Sequence, residues 1–291
     1  MSDRTVFITG AATGIGLATA RQLDQLGWQV WAGVLPGQDT SDLTVGSHII
    51  PLMLDITEAA LVQAATRAVG DAVGERGLAA LINNAGVAHL GSGILAGVDL
   101  DEARALLEIN VLGTIRVIQA CLPLLHQYGP ARIINLSSGA VRVPVPTAGV
   151  YNISKFAIEG LTKTLRYELA PFGIAVTAIE PGGVRTPMTA NAEANIQKVW
   201  ERMSAPVRAR YESVLRPAND NLVRQLDKAN EPSVIAAGIV HALTTRNPRP
   251  RYTVGREVRW VPLLQRLLPE TWFERLLIGQ FGLTQESARR P

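Results

Sequence analysis

The fold of this chain follows from the stretch Val6-Phe7-Ile8-Thr9-Gly10-Ala11-Ala12-Thr13-Gly14-Ile15-Gly16, which joins an apolar run to a glycine-rich turn and a helical pattern. Residues 6–8 are typical of a short buried strand. The order strand, glycine turn, helix predicts a dinucleotide-binding unit. In such a unit Gly10 permits the tight turn, Gly14 lets the backbone approach a pyrophosphate, and Gly16 allows the helix to pack closely on the strand.

Strand and helix patterns alternate along the rest of the chain. This alternation predicts a parallel sheet covered on both faces, the Rossmann-type doubly wound α/β architecture. The sequence contains no internal repeat or linker, so we predict a single domain over residues 1–291. Residues 188–230 are polar and helix-prone, and they favour a helical lid over a substrate, with a surface insertion as the alternative. Residues 256–291 form a C-terminal extension.

Tyr151 and Lys155 follow a strand that ends at Ser138, and they stand one helical turn apart on the same helix face. A free tyrosine has a pKa of roughly 10, and a nearby ammonium group favours the phenolate. We therefore predict that Lys155 lowers the pKa of Tyr151, which could then exchange a proton with an alcohol or a carbonyl oxygen. Ser138 could hydrogen-bond the same substrate oxygen. Taken alone, the pair would indicate an ordinary surface helix, but the glycine turn favours the catalytic interpretation.

The end of the second predicted strand bears on the choice between NAD and NADP. An acidic residue there holds the ribose of NAD, whereas basic residues favour the 2′-phosphate of NADP. Val34 stands at this position, and neither Leu35 nor Thr13 in the glycine turn carries a positive charge. The absence of a basic residue at these positions favours NAD over NADP. After the third strand, two roles are open for Asp55, which could accept from an adenine amino group or cap the next helix.

Two further loops and one helix contain candidate residues. Asn83-Asn84-Ala85-Gly86 follows the fourth strand with small residues that would let a flat ligand lie against the backbone, although a plain turn has the same composition. Asn110 is a polar residue in a long apolar helix that we predict from Leu100 to about Tyr128, where a buried asparagine is generally structural. The loop from Glu180 to Pro187 could close over the nicotinamide half of a cofactor.

Composition restricts the class of protein. Apolar residues make up 47% of the chain, charged residues 18%, and the formal net charge is +3, so nucleic-acid binding is not implied. The single cysteine, Cys121, lies in an apolar helical pattern and is expected in the core, which fits a reducing compartment. No signal-peptide pattern and no run of about 18 apolar residues is present, so we expect a cytoplasmic protein without a membrane span. No metal site is predicted.

The C-terminal extension is apolar from Trp260 onward and is broken by Pro262 and Pro269. Its pattern suggests short amphipathic helices. They could pack on the core, shape the substrate mouth, form a subunit interface or touch a membrane surface. Several arginines precede the extension and begin it, and they indicate a solvated face, with an acidic partner or a lipid headgroup as the alternative. These arginines are Arg246, Arg249, Arg251, Arg256 and Arg259.

Taken together, these motifs resemble the short-chain dehydrogenase/reductase family over roughly residues 4 to 187, and the regions around residues 32–35 and 250–255 resemble its retinol and hydroxysteroid dehydrogenase branch. The resemblance implies that Tyr151 is the general acid/base, Ser138 orients the substrate oxygen, Lys155 lowers the tyrosine pKa and binds the nicotinamide ribose, and Asn110 holds a water. Thr186 would contact the nicotinamide amide. The implied cofactor-binding set is Gly10, Thr13, Gly14, Ile15, Gly16, Asp55, Ile56, Asn83, Ala85, Gly86, Tyr151, Lys155, Pro181, Gly182, Val184 and Thr186.

These observations predict an NAD(P)-dependent oxidoreductase that interconverts a secondary alcohol and a ketone on an apolar, steroid-, retinoid- or lipid-like substrate. Family resemblance further implies a homodimer or homotetramer. A nucleotide-sensing or scaffold protein on the same fold is the alternative, because fold does not fix function. Such proteins usually lack the tyrosine or the lysine, and this chain has both.

Overall fold

The structure, a computed structural model, describes residues 4–88, 95–190, 192–256 and 258–283. Parts of the predicted C-terminal extension, residue 257 and residues 284–291, lie outside the described residues. Seven parallel strands form one sheet in the order β3-β2-β1-β4-β5-β6-β7, which confirms the predicted Rossmann-type fold. The strands are β1 Thr5–Ile8, β2 Gln29–Val34, β3 Ile49–Met53, β4 Ala80–Asn83, β5 Arg132–Leu136, β6 Ala175–Pro181 and β7 Arg251–Val254.

Helices connect the strands and cover both faces of the sheet. The helix predicted from Leu100 to about Tyr128 runs without a break, but its middle part, Glu108–Gly113, is π-helical. The helices are α1 Gly14–Gln25, α2 Ala59–Val73, α3 Leu100–Leu107, α4 Thr114–Tyr128, α5 Gly149–Leu169, α6 Pro187–Ala190, α7 Ala192–Arg202, α8 Ala205–Asp227, α9 Pro232–Thr244, α10 Val261–Leu267 and α11 Glu270–Gln280.

The sheet separates two apolar cores, because successive side chains of a strand point to opposite faces. In β1, Val6 and Ile8 belong to the core beneath α1 and α9, whereas Phe7 belongs to the core beneath α2, α4 and α5. Cys121 is buried in the second core, as the sequence predicts. The parallel arrangement places the carboxyl ends of the strands, and the loops that follow them, at one edge of the sheet.

Element boundaries differ from the predictions by one or two residues. Strand β3 begins at Ile49 rather than His48, and it tolerates Pro51 because it is an edge strand whose outer side needs no donor. Strand β6 continues through Glu180 to Pro181, which the sequence placed in a loop. It extends because Glu180 and Pro181 pair with Thr253 and Val254 of β7.

Within the described residues, the stretch Leu100–Tyr128 is long and apolar enough, by length and composition, to cross a membrane. In this fold Val117, Ile118, Cys121 and Leu125 of the stretch are buried in the core beneath the sheet. One face of the stretch therefore packs in the core, and the cytoplasmic location stays a prediction.

Candidate active site

The β1–α1 turn is closely packed at its glycines. A β-carbon on Gly16 would lie 2.3 Å from the carbonyl oxygen of Gly10, and Gly10 itself has a φ of +64°. A β-carbon on Gly14 would lie 3.0 Å from Cγ2 of Thr186. Thr13, the N-cap residue of α1, makes no side-chain capping hydrogen bond. The turn thus brings bare backbone and the amino end of a helix to the carboxyl edge of the sheet, which fits a pyrophosphate.

The glycine turn is tied to the loop that follows β4. Thr9 Oγ1 accepts hydrogen bonds from the backbone N–H groups of Asn84 and Ala85, at 3.0 and 2.9 Å. Asn84 Nδ2 donates to the carbonyl oxygens of Thr9 and Gly10. A β-carbon on Gly10 would lie 2.8 Å from Cα of Ala85. The structure therefore places Gly10 and Ala85 in one rigid assembly, as expected for two parts of a single nucleotide site.

Asp55 does not cap α2, because the N-cap residue is Glu58. Instead, Asp55 Oδ1 accepts from the backbone N–H and the hydroxyl of Thr57, at 2.9 and 2.7 Å, and closes a local turn after β3. The proposed helix cap is therefore wrong, and the role in adenine binding stays a prediction. The neighbouring Ile56 is buried, and a β-carbon on Gly113 would lie 2.8 Å from its Cγ1.

Ser138, Tyr151 and Lys155 meet where β5 ends and α5 begins. Ser138 lies near enough to the Tyr151 hydroxyl to lower its pKa by hydrogen bonding. Lys155 is buried, and its Nζ donates to the carbonyl oxygen of Leu136 at 3.0 Å and lies 5.7 Å from the centroid of the Tyr151 ring. Tyr151 stands in the first turn of α5, where the helix dipole favours an anion.

Asn110 lies in the π-helical segment, and its side chain links the loop after β4 to α5 by hydrogen bonds. Its Oδ1 accepts from Val87 N at 2.8 Å, and its Nδ2 donates to Val87 O at 2.9 Å and to Ser154 Oγ at 3.0 Å. A β-carbon on Gly86 would lie 3.1 Å from the same Oδ1. The side chain is therefore used for positioning, and the water-holding role stays a prediction. π-helical segments are rare and frequently mark functional sites.

The pKa of Tyr151 differs in direction from the sequence prediction. Burial raises the pKa of Tyr151 above its ordinary value, and the hydrogen bond with Ser138 opposes this by lowering it. Burial also lowers the pKa of Lys155 to about 8. Among the chain's own groups, desolvation thus outweighs the hydrogen bonding by Ser138 at the tyrosine, because burial disfavours the charged phenolate. The prediction of a lowered Tyr151 pKa is therefore wrong for these groups alone, and the influence of Lys155 on that pKa stays a prediction.

The depressed pKa of Lys155 leads to a spectroscopic prediction. The chain has four lysines, Lys155, Lys163, Lys198 and Lys228, so the ¹³Cε signals of a labelled sample should be separable. We expect one signal to titrate near pH 8, with ammonium below and neutral amine above, and to be absent from Lys155→Met. A spectrum in which the missing signal titrates at the ordinary lysine pKa would show that burial does not act on Lys155 as described.

The loop after β6 contacts β7, Gly139 and the glycine turn. The N–H of Gly182 donates to Val254 O at 2.9 Å, and Val184 is buried and forms a bridge with Asn230. A β-carbon on Gly139 would lie 3.1 Å from Pro181 O. The loop therefore reaches the glycine turn at Thr186, which lies against Gly14, and a cofactor contact for Pro181, Gly182, Val184 and Thr186 stays a prediction.

The insertion between β6 and β7 contacts the loops around the tyrosine. Thr147 Oγ1, four residues before Tyr151, donates to Asn219 Oδ1 of α8 at 3.0 Å. β-carbons on Gly97 and Gly149 would contact Met203 Sδ and Leu95 Cδ1, at 3.7 and 3.5 Å. The predicted lid segment therefore lies next to the catalytic helix, and apolar side chains are present at that boundary.

Sequence reasoning missed the supporting roles of two sets of residues, although Asn83 was among the predicted cofactor-binding residues. Asn83 Nδ2 donates to Asn135 Oδ1, and Asn135 Nδ2 donates to Thr162 Oγ1, at 2.8 and 2.9 Å, so a buried polar ladder links β4, β5 and α5. The signal was an asparagine inside the apolar run of β5. Arg142 forms a bidentate ion pair with the fully buried Glu180, with both distances at 2.9 Å. This pair left no local sequence signal.

Comparison with known proteins shows which family contains similar chains. A family model described as short chain dehydrogenase matches residues 4–197. Retinol dehydrogenase 5 from Mus musculus is 36% identical over 90% of this chain and 84% of its own length, and 17-beta-hydroxysteroid dehydrogenase type 6 from Bos taurus is 34% identical over the same shares. A short chain dehydrogenase from Burkholderia cenocepacia, crystallised with NADP, has a TM-score of 0.73 at 25% identity and covers 95% of this chain and 99% of its own.

The fold and the site define a nicotinamide-nucleotide-dependent oxidoreductase that acts on CH–OH groups. The chain belongs to the short-chain dehydrogenase/reductase family, in the retinol and hydroxysteroid dehydrogenase branch. The glycine cradle at Gly10, Gly14 and Gly16 fits the nucleotide that this class uses, since β-carbons there would collide with Ala85, with Thr186 and with the carbonyl oxygen of Gly10, so that only glycines allow this tight turn.

Proposed function

We propose that this protein interconverts a secondary alcohol and a ketone on a large apolar substrate, with Tyr151 as the general acid/base. The observation that carries the proposal is the meeting of Ser138, Tyr151 and Lys155 where β5 ends and α5 begins, with Lys155 Nζ 5.7 Å from the centroid of the Tyr151 ring. The alternative, a nucleotide-sensing scaffold, would have no use for a lysine whose burial lowers its pKa to about 8.

Each of the catalytic residues has its own role in the proposed reaction. In the reductive direction, the Tyr151 hydroxyl donates its proton to the substrate carbonyl oxygen, while Ser138 donates a hydrogen bond to the same oxygen. The first turn of α5 and the Lys155 ammonium favour the phenolate that remains. In the oxidative direction the phenolate accepts the alcohol proton. A bound nicotinamide nucleotide supplies or accepts the hydride, and Lys155 and the glycine turn would hold it.

A preference for NAD is part of the proposal. Val34 ends β2 where a selecting charge would stand. Arg21, which contacts the loop after β2, is bound to the backbone and carboxylate of Asp42. Asp39 accepts from the backbone N–H and hydroxyl of Ser41, which holds the pKa of its carboxyl below the usual value. Arg21 is therefore already occupied, and NADP would lack a partner for its 2′-phosphate from this residue.

The substrate class is supported by the relatives and by the lid. The two curated relatives are a retinol dehydrogenase and a hydroxysteroid dehydrogenase. Leu95 and Met203 lie beside glycines at the boundary between the lid and the catalytic helix. A lid of this kind would exclude water and bury an apolar substrate.

One set of initial-rate measurements tests both parts. Rates are measured for a hydroxysteroid and 2-propanol, which are secondary alcohols, and for retinol as a large primary alcohol, each with NAD and with NADP. We expect kcat/KM to be highest with NAD and with a large alcohol. Each buried CH₂ contributes roughly 0.8 kcal/mol, so about five additional buried carbons correspond to roughly 10³-fold over 2-propanol.

The experiment tests the nucleotide preference and the substrate class independently of each other. Faster turnover with NADP would overturn the nucleotide preference and leave the substrate class standing. Equal kcat/KM for 2-propanol and the large alcohols would overturn the apolar substrate. Absence of turnover with every pair, together with tight nucleotide binding, would favour the scaffold alternative.

A further inference from the structure

The turn that follows β5 orients the hydroxyl of Ser138. A single turn of 3₁₀ helix, Gly139–Val141, begins directly after this serine, and Ser138 Oγ accepts from the backbone N–H of Ala140 at 3.1 Å. Because the oxygen accepts a hydrogen bond from the backbone, the proton of the hydroxyl remains available for donation to a substrate oxygen. A shift of the turn would therefore change the direction in which that hydroxyl points.

The backbone around this serine packs against the end of β6. On one side of Ser138, the N–H of Ser137 donates to the carbonyl oxygen of Ile179 at 2.8 Å. On the other side, the chain passes so close to β6 that a β-carbon on Gly139 would lie 3.1 Å from the carbonyl oxygen of Pro181. Ser137 and Gly139 are both buried, whereas Ser138 between them is partly exposed. The position of the serine is therefore set by β6.

A buried ion pair connects the far end of the turn to β6. Nε and Nη2 of Arg142 donate to Oε2 and Oε1 of Glu180, each at 2.9 Å. Two parallel hydrogen bonds fix the plane of the guanidinium as well as its distance, which a single contact does not. The Glu180 side chain is fully buried, and Thr253 Oγ1 of β7 donates to its Oε2 at 2.7 Å. The carboxylate is therefore itself held in one place.

The cost of burying this pair indicates a role besides stability. A buried ion pair can often be replaced by well-packed apolar side chains without loss of stability, because both charges lose their water. Arg142 and Glu180 instead supply a fixed, two-point connection between the serine turn and β6. We propose that they are positioning residues, which hold the turn so that Ser138 donates to the substrate oxygen in the productive direction. Their role in catalysis rests on the proposed function, in which Ser138 contacts that oxygen.

A double-mutant cycle with Ser138 tests the positioning role. Arg142→Lys keeps the positive charge but cannot form two parallel hydrogen bonds. We expect it to lower kcat about tenfold, because a small displacement of a catalytic group is costly. In a Ser138→Ala background the same substitution should lower kcat less than about twofold, since the group that it displaces is absent. The measurements are steady-state kinetics with the alcohol of highest kcat/KM.

Arg132→Lys is the matched control on the same strand. Arg132 is also partly buried, and its guanidinium donates to the carbonyl oxygens of Ala242 and Thr245 at 3.3 and 2.7 Å, but it lies at the amino end of β5. We expect its kcat to equal that of the wild type. Unfolding midpoints in urea establish that every variant is folded. An equal loss of kcat from Arg142→Lys with and without Ser138 would overturn the positioning role, because a general loss of structure acts in both backgrounds.

Hydrogen exchange provides a second test that does not depend on turnover. The backbone N–H groups of Ala140 and Val141 donate to Oγ and O of Ser138. In Arg142→Lys they should exchange at least about fivefold faster than in the wild type, while those of β5 keep their rates. Unchanged exchange of both groups would overturn the positioning role. If exchange becomes faster but the wild type oxidises no alcohol, or Ser138→Ala keeps full kcat, the proposed function fails, whereas the attachment of the turn by Arg142 and Glu180 stands.

Discussion

Tyr151→Phe is expected to lower kcat by at least about 10²-fold, the scale of a lost general acid/base group. The substitution removes one oxygen, the atom that would exchange the proton, and keeps the ring beside Lys155. Nucleotide binding should remain, because the glycine cradle and the Lys155–Leu136 hydrogen bond do not involve that oxygen. The measurements are steady-state kinetics with the best alcohol and fluorescence titration with NADH.

Tyr167→Phe provides the matched control, because Tyr167 lies on the same helix with 66% of its surface exposed. Its turnover should equal that of the wild type. Turnover of Tyr151→Phe within a few-fold of the wild type would remove the tyrosine from the proposed mechanism. Loss of nucleotide binding as well would show that the phenol contributes to the cofactor site rather than only to proton transfer.

The elements that the sequence predicts well are those set by local chemistry. The β1–α1 turn is an example, since Gly10 needs a positive φ and Gly16 leaves no room for a side chain, and both requirements are visible as glycines. The helical spacing of Tyr151 and Lys155 likewise follows from the periodicity of α5. Apolar runs with the length of strands define the parallel sheet to within one or two residues at each end.

Properties that depend on packing were predicted less well. The π-helical segment around Asn110 leaves no pattern in the sequence, because an inserted residue changes helix register without a change in composition. The direction of the Tyr151 pKa depends on how deeply α5 is buried, which the Tyr–Lys spacing does not report. The helix cap that was the alternative role of Asp55 is not formed, because the carboxylate closes a tighter turn with Thr57.

The buried carboxylate of Glu180 is another feature that depends on packing and was not predicted from the sequence. Glu180 reads in the sequence as part of a loop next to Pro181, yet it is fully buried at the end of β6. Its partners come from distant parts of the chain, because Arg142 follows the catalytic strand and Thr253 lies on β7. Tertiary structure alone brings these residues together, so the network appears only once the sheet is formed.

Arg142→Leu is expected to lower the free energy of unfolding by about 3–5 kcal/mol, the scale for breaking one side of a buried ion pair. The substitution leaves the Glu180 carboxylate with the hydroxyl of Thr253, at 2.7 Å, and with Arg251, whose Nε is 3.6 Å away and is bound more closely to Glu159, at 2.6 Å. These partners do not replace a bidentate guanidinium. Equilibrium unfolding in urea measures the loss.

Two further variants separate an unpaired charge from simple loss of packing. Arg142→Leu/Glu180→Gln should recover at least about 1 kcal/mol relative to Arg142→Leu, because a neutral amide is less costly to bury without a cation. Arg104→Ala, which breaks the exposed pair with Asp101, should cost less than about 1 kcal/mol. Equal losses in Arg142→Leu and Arg104→Ala would contradict the buried ion pair as a source of stability. A double variant no more stable than Arg142→Leu would instead assign the loss to the side-chain packing of Arg142, because the charge of Glu180 would then have no measurable cost.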